Sequence, residues 1–123
     1  MMFKSKQHKF TFEEAIKNTN NSNNKLMAAI YLLSADQFIW KKVKDKVFDN
    51  YIKFDDVKLD TMRVKSYALY SASKDMYFST DHITISDFFD TTLISQTLFN
   101  IIITAINIRR WGLEKADAIE GNA

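Results

Sequence analysis

Apolar side chains recur along this chain at helical spacing, in stretches parted by polar breaks. Phe12 and Ile16 lie four apart, with Ala15 and Phe10 nearby, which predicts a first helix from about Ser5 to Asn18. Ser5 is placed to cap it, and Thr11 with Glu14 offers a later capping box. The run NTNNSNNK, residues 18–25, has no apolar content and reads as an exposed loop. A second helix is predicted over residues 24–33, with Leu26, Ile30 and Leu33 as its inward stripe and Met27 and Tyr31 beside them. Ser34-Ala35-Asp36-Gln37 reads as a capping box opening a third helix. Ile39, Val43 and Val47 form its buried face, Phe38 and Trp40 flank it, and Asp49-Asn50 ends it.

Between Tyr51 and Leu59 the apolar residues alternate instead, which suggests a short extended connector: a lone strand has no pairing partner in the sequence. A fourth helix is predicted from Arg63 to Tyr77, where Tyr67, Tyr70 and Tyr77 surround small residues that let a neighbouring helix approach closely. Ser86 and Asp87 are placed to cap a short helix reaching about Thr92. The last helix, Ser95 to Trp111, is apolar nearly all round, the mark of a helix buried on most sides, and Gly112 is a suitable stop. The expected fold is therefore all-α: a compact single-domain bundle of five or six helices around a central C-terminal helix, with an extended connector near 51–59. Residues 1–113 would form the helical domain and 114–123 an acidic flexible tail.

Composition sharpens this picture. The 123 residues include no proline and 2 glycines, a poor supply for the tight turns of an all-β protein, while 10 Phe, 5 Tyr and 2 Trp provide for a core. The absence of cysteine fits a reducing, cytoplasmic setting. No apolar run follows the lysines of MMFKSKQHKF, so no secretory signal is expected. The longest apolar stretch, Ile101 to Ile108, falls well short of the roughly 20 residues a membrane span needs.

Chemistry-bearing patterns are sparse. His8 and His82 stand apart from other good metal ligands, and no glycine-rich phosphate loop exists. Glu13-Glu14, Asp55-Asp56 and Asp87 with Asp90 read as solvated or capping acids. A Ser86–His82–Asp87 triad is too local in sequence to resemble known triads. No catalytic residue, metal or cofactor is expected, and the protein is not expected to be an enzyme. The stretch ISDFFDTTLISQTLFN, residues 85–100, suggests a helix-turn-helix. That alignment would put bulky Phe89 at the close helix crossing and Leu93 at a positive φ, and would leave the second helix without a basic residue before Arg109. It is therefore set aside. The clearest basic feature is KKVKDK beside Trp40. Trp40, Lys41, Lys42, Lys44, Lys46 and Arg63, joined by Arg109 and Arg110, are the expected partner-binding residues, with Lys53, Lys58 and Lys65 extending the patch. The net charge of +2 is too mild to decide between protein and phosphate as the partner.

Four segments carry a resemblance: residues 31–45 (YLLSAD with IWKKVKD), 66–77 (SYALYSASKDMY), 82–94 (HITISDFFDTTLI) and 105–113 (AINIRRWGL). Together they resemble a family of small uncharacterised proteins encoded on conjugative elements and prophages of low-GC Gram-positive bacteria. The resemblance spans all but the acidic tail and transfers no active-site residue. It implies a non-enzymatic, protein-binding accessory factor of a mobile genetic element, such as an inhibitor of a host defence nuclease of the CRISPR effector kind. The alternative is a nucleic-acid-binding accessory protein using the Lys41–Lys46 patch. A homodimer is a further expectation.

Overall fold

The uncharged run LMAAIYLL decides the architecture. A computed structural model describes residues 1–59 and 63–121, and in it every residue from Leu26 to Leu33 has no solvent exposure. A helix that is apolar on every face must be covered on every face. The six helices among the described residues are α1 (Lys6–Ile16), α2 (Asn24–Leu33), α3 (Gln37–Val43), α4 (Val64–Phe78), α5 (Gln96–Trp111) and α6 (Leu113–Gly121), with 3₁₀ turns at Lys44–Lys46, Phe54–Asp56 and Ser86–Phe89. The fold is all-helical, as expected. Its most enclosed position, however, goes to α2 rather than to the C-terminal helix. α4 and α5 pack most extensively against α2, while α5 keeps Ile103 and Ile106 exposed. Small residues on both partners, Ala28 and Ala29 on α2 with Ala68, Ser71 and Ala72 on α4, are buried and permit close approach.

Local capping fixes most helix starts. Ser5, Asn23, Asp36 and Ser95 each accept a backbone N–H of the first turn of α1, α2, α3 and α5. The third helix is therefore capped by Asp36. Ser34 instead closes α2, its hydroxyl donating to the Tyr31 carbonyl at 3.1 Å. Asp36 does a second job, since its other carboxylate oxygen accepts the Ser66 hydroxyl at 2.6 Å and joins α3 to α4. The third helix is also shorter than expected, ending at Val43 before a 3₁₀ turn. The short helix expected from Ser86 to Thr92 is a single 3₁₀ turn ending at Phe89.

The expected flexible tail is α6 over its described length; Asn122 and Ala123 lie outside the described residues. Gly112 makes the corner between α5 and α6 at φ +89°, and a side chain there would also meet Asn24 Oδ1 at 3.2 Å. Ala116 is fully buried. Glu120 accepts the Met2 backbone N–H at 2.6 Å and the Thr104 hydroxyl at 2.5 Å, which ties the N-terminal arm and α5 to α6. The Tyr31 hydroxyl donates to the Met2 carbonyl at 2.6 Å from below the same arm.

α1 contributes an unexpected buried group. Phe10, expected near the core, is exposed, and His8 is buried among Phe3, Phe12 and Tyr31. His8 Nδ1 accepts the Lys4 N–H at 3.0 Å, so Nε2 carries the proton and donates to the Tyr31 carbonyl at 2.7 Å. Burial, opposed by the Tyr31 bond and assisted by Lys4, pushes its pKa from 6.5 down to about 4. The unfolded chain thus takes up a proton below pH 6.5 that the folded chain refuses until about pH 4. Stability is expected to fall as pH drops through that window, by at most about 3 kcal/mol from this group. Urea unfolding midpoints measured between pH 7 and pH 4 check this, and His8→Gln should flatten the slope across that window.

Candidate functional site

After the 3₁₀ turn at 44–46 the chain reverses in a tight hairpin. Val47 pairs with Ile52, Phe48 N–H donates to the Tyr51 carbonyl at 2.8 Å, and Lys53 N–H to the Lys46 carbonyl at 2.9 Å. Side chains alternate across extended backbone, so this register turns Val47 and Ile52 inward and sets Phe48 opposite Tyr51 on the outer face, with Lys53 opposite half-buried Lys46 at the end of the 3₁₀ turn. The Phe48 and Tyr51 rings stack at 4.9 Å with planes 20° apart, and they are 40% and 50% exposed. Lys53 also pairs with Asp56 at 3.1 Å, a bond that raises the lysine pKa.

Three anchors hold this hairpin. Asn20 Nδ2 and Asn23 Nδ2 donate to Asn50 Oδ1 at 3.0 and 3.1 Å, and the Asn20 backbone N–H donates to the Asp49 carbonyl at 2.7 Å. The asparagine-rich segment expected as a plain exposed loop is thus the bracket for the hairpin tip. Ile52 N–H donates to the Tyr77 hydroxyl at 3.1 Å on α4. Phe54 is buried against Tyr70, Tyr77 and Phe78.

The expected partner-binding residues fall into three places. Lys41 and Lys42 are exposed on α3 and Lys44 on the 3₁₀ turn that follows, and half-buried Trp40 lines a shallow cleft of about 220 Å³ with Lys44, Phe48 and Glu14. Lys46 leads into the hairpin, so these five and the stacked rings share one region. Arg63 stands elsewhere, lining a cleft of about 560 Å³ with Lys4, Lys65, Phe38 and Asp36. Arg109 is engaged inside the fold: Nε donates to the Met76 carbonyl at 2.9 Å and a terminal nitrogen to Ser79 Oγ at 3.2 Å, satisfying the end of α4. Arg110 lies over the Trp111 ring at 4.8 Å. Phe48 and Tyr51 are the members that spacing alone did not single out, while Lys53, expected as an extension of the patch, is brought beside them.

His82 is paired with Asp75, not with Asp87: Nδ1 donates to the Asp75 carboxylate at 2.7 Å, and Nε2 has no hydrogen-bond partner among the described residues. The same carboxylate accepts the Thr80 hydroxyl and the His82 and Ile83 backbone N–H groups. Partial burial works against its ionisation, but these bonds outweigh it and lower the pKa. The pair organises the loop after α4, and His82 lines none of the clefts described above. Asp87 accepts the Thr84 N–H within its own turn. The helix-turn-helix geometry is absent, since Phe89 is 78% exposed and Ser79 is the non-glycine residue with positive φ among the described residues. Among those residues no three His, Cys, Asp or Glu side chains gather to hold a metal, and no helix is long and apolar enough to cross a membrane.

No protein-family model, no curated protein and no solved structure matches this chain.

Asn50→Ala removes the acceptor shared by Asn20 and Asn23. It should cost about 1 kcal/mol of stability and speed amide exchange at Phe48 and Lys53 relative to the α2 core, measured by hydrogen exchange with NMR detection.

Proposed function

We propose that this protein acts by binding rather than by catalysis, through the face formed by α3 and the hairpin. The observation that carries this reading is the stacked, half-exposed Phe48–Tyr51 pair, held rigid by three anchors and set among Lys44, Lys46 and Lys53. Burying aromatic surface would favour holding two such rings inward, and a partner that covers them recovers that free energy. Rigid aromatic side chains also lose little conformational entropy on binding. Lysines around them favour an acidic partner surface.

The target class is a host protein, and the resemblance to mobile-element families favours a defence nuclease such as a CRISPR effector, blocked by occupation of its surface. A second reading has its own support. Lysines beside rings open to stacking are also what single-stranded nucleic acid uses. Lys53 is partly spent on Asp56, and Asp45 and Asp49 lie nearby in the sequence, which weakens the fit to phosphate. A second copy of this chain would use a different surface.

Capture from lysate of a low-GC Gram-positive host, with and without nuclease treatment, separates the two readings. A stoichiometric protein that survives nuclease supports the first; material lost with nuclease, and binding that falls steeply with salt, supports the second. In either case Tyr51→Ala should weaken binding by about 2 kcal/mol if the ring is an anchor. The Lys41→Glu, Lys44→Glu double variant should weaken it further. An interaction indifferent to all three substitutions rules out this face.

A further inference from the structure

The outer side of α5 carries an apolar stripe that the described elements leave largely open at Ile103 and Ile106. Phe99, Ile103 and Ile106 follow at i, i+4 and i+7, and Ile103 and Ile106 are 41% and 39% exposed. Phe88 lies edge-on to Phe99 at 5.8 Å, which brings the 86–89 turn beside the stripe, with Ile85 and Phe89 on the same turn more than three-quarters exposed. From Ser95 to Ile108 the helix has no charged residue, although 26% of the chain is charged. An outward helical face is ordinarily lined with Lys and Glu, so this neutral apolar face marks an interface.

Charge at its two ends selects the occupant. Asp87 and Asp90 sit at the N-terminal end, and Asp90 is held ionised by bonds from Thr92 and Leu93. Arg110 is exposed at the C-terminal end, while Arg109 is turned inward onto Met76 and Ser79. A surface that is acidic at one end, neutral in the middle and basic at the other is complementary to itself when reversed. A parallel pairing would set Arg110 against Arg110 and acid against acid, and an apolar membrane surface would leave both ends unmatched.

We propose that this stripe is a homodimer interface, in which α5 packs antiparallel against α5 of a second copy about a twofold axis near Ile103. In that arrangement Ile106 of each copy meets the Phe99–Asn100 region of the other, and Arg110 reaches the other copy's Asp87 and Asp90. Residue-to-residue exchange of this kind is what twofold symmetry requires. One helix stripe alone is narrow against the roughly 1,200 Å² of a stable interface; Ile85 and Phe89 widen it at both ends of the pair. This surface is independent of the α3–hairpin face.

Sedimentation velocity of the full chain across a concentration series tests the proposal. Expected is a monomer–dimer equilibrium weakened about tenfold or more by Ile103→Glu, with an unchanged circular dichroism spectrum, since Ile103 is not a core residue. Arg110→Glu should weaken the dimer too, and adding Asp90→Lys to it should restore part of the loss. A chain that stays monomeric throughout, or a dimer that ignores both Ile103→Glu and Arg110→Glu, overturns the proposal. A dimer broken by Ile103→Glu but indifferent to charge reversal overturns the antiparallel arrangement.

Discussion

The constraint behind this fold is the full enclosure of α2. Eight consecutive side chains from Leu26 to Leu33 leave water entirely, and each large one contributes roughly 1.5–3 kcal/mol by doing so. No single neighbour can cover a cylinder on every side. α4 and α5 take the two largest shares, α1 and α3 close further sectors, and the N-terminal arm covers Tyr31 with Phe3 and the Met2 carbonyl. The other helices can remain one-sided because α2 is not. That leaves outward faces on α3 and α5 available for other work.

Polar residues serve mainly as joints between those covering elements. Asp36 starts α3 and holds Ser66 of α4. Asn50 receives Asn20 and Asn23 from the loop before α2. Asp75 gathers four donors from the loop that follows α4. Groups with catalytic potential on paper are therefore committed to holding the chain's turns. Lysines and aromatic rings are among the residues left facing outward without such a commitment.

Much of this was legible in the sequence where a local rule decided the outcome. The bounds of α2, the Ser5 cap, the start of α5 at Ser95 and the stop at Gly112 follow from capping chemistry and periodicity, and the observed elements agree. The centre of the bundle was not legible in the same way. α5 is richer in isoleucine, yet its apolar residues exceed what α2 can cover, so Ile103 and Ile106 remain outside; the shorter, unbroken LMAAIYLL was the better indicator. Ser34 had the pattern of a cap, but its N–H and hydroxyl are taken up in closing α2 at the Ile30 and Tyr31 carbonyls, so Asp36 caps α3. α6 was hidden by an acidic composition, whose Glu120 finds donors more than a hundred residues away. In the candidate site, the α3 lysines were legible as a charge run. Lys53 was legible as an extension of that run; Phe48 and Tyr51 were not, because only the hairpin register makes them neighbours.

The strap formed by the N-terminal arm and α6 has a kinetic consequence. Met2 and Glu120 are 118 positions apart in sequence, so their bond closes a very long loop and gains nothing until the intervening helices are already in place. Such contacts form late in folding and are the first to be released. The arm, the His8 end of α1 and α6 share Glu120 and Tyr31 as fastening points, so they make a natural cooperative opening unit, separable from α2 and its partners α4 and α5. Partial opening would then begin at the corner where the N-terminal arm meets α6, with the core helices and the hairpin still closed.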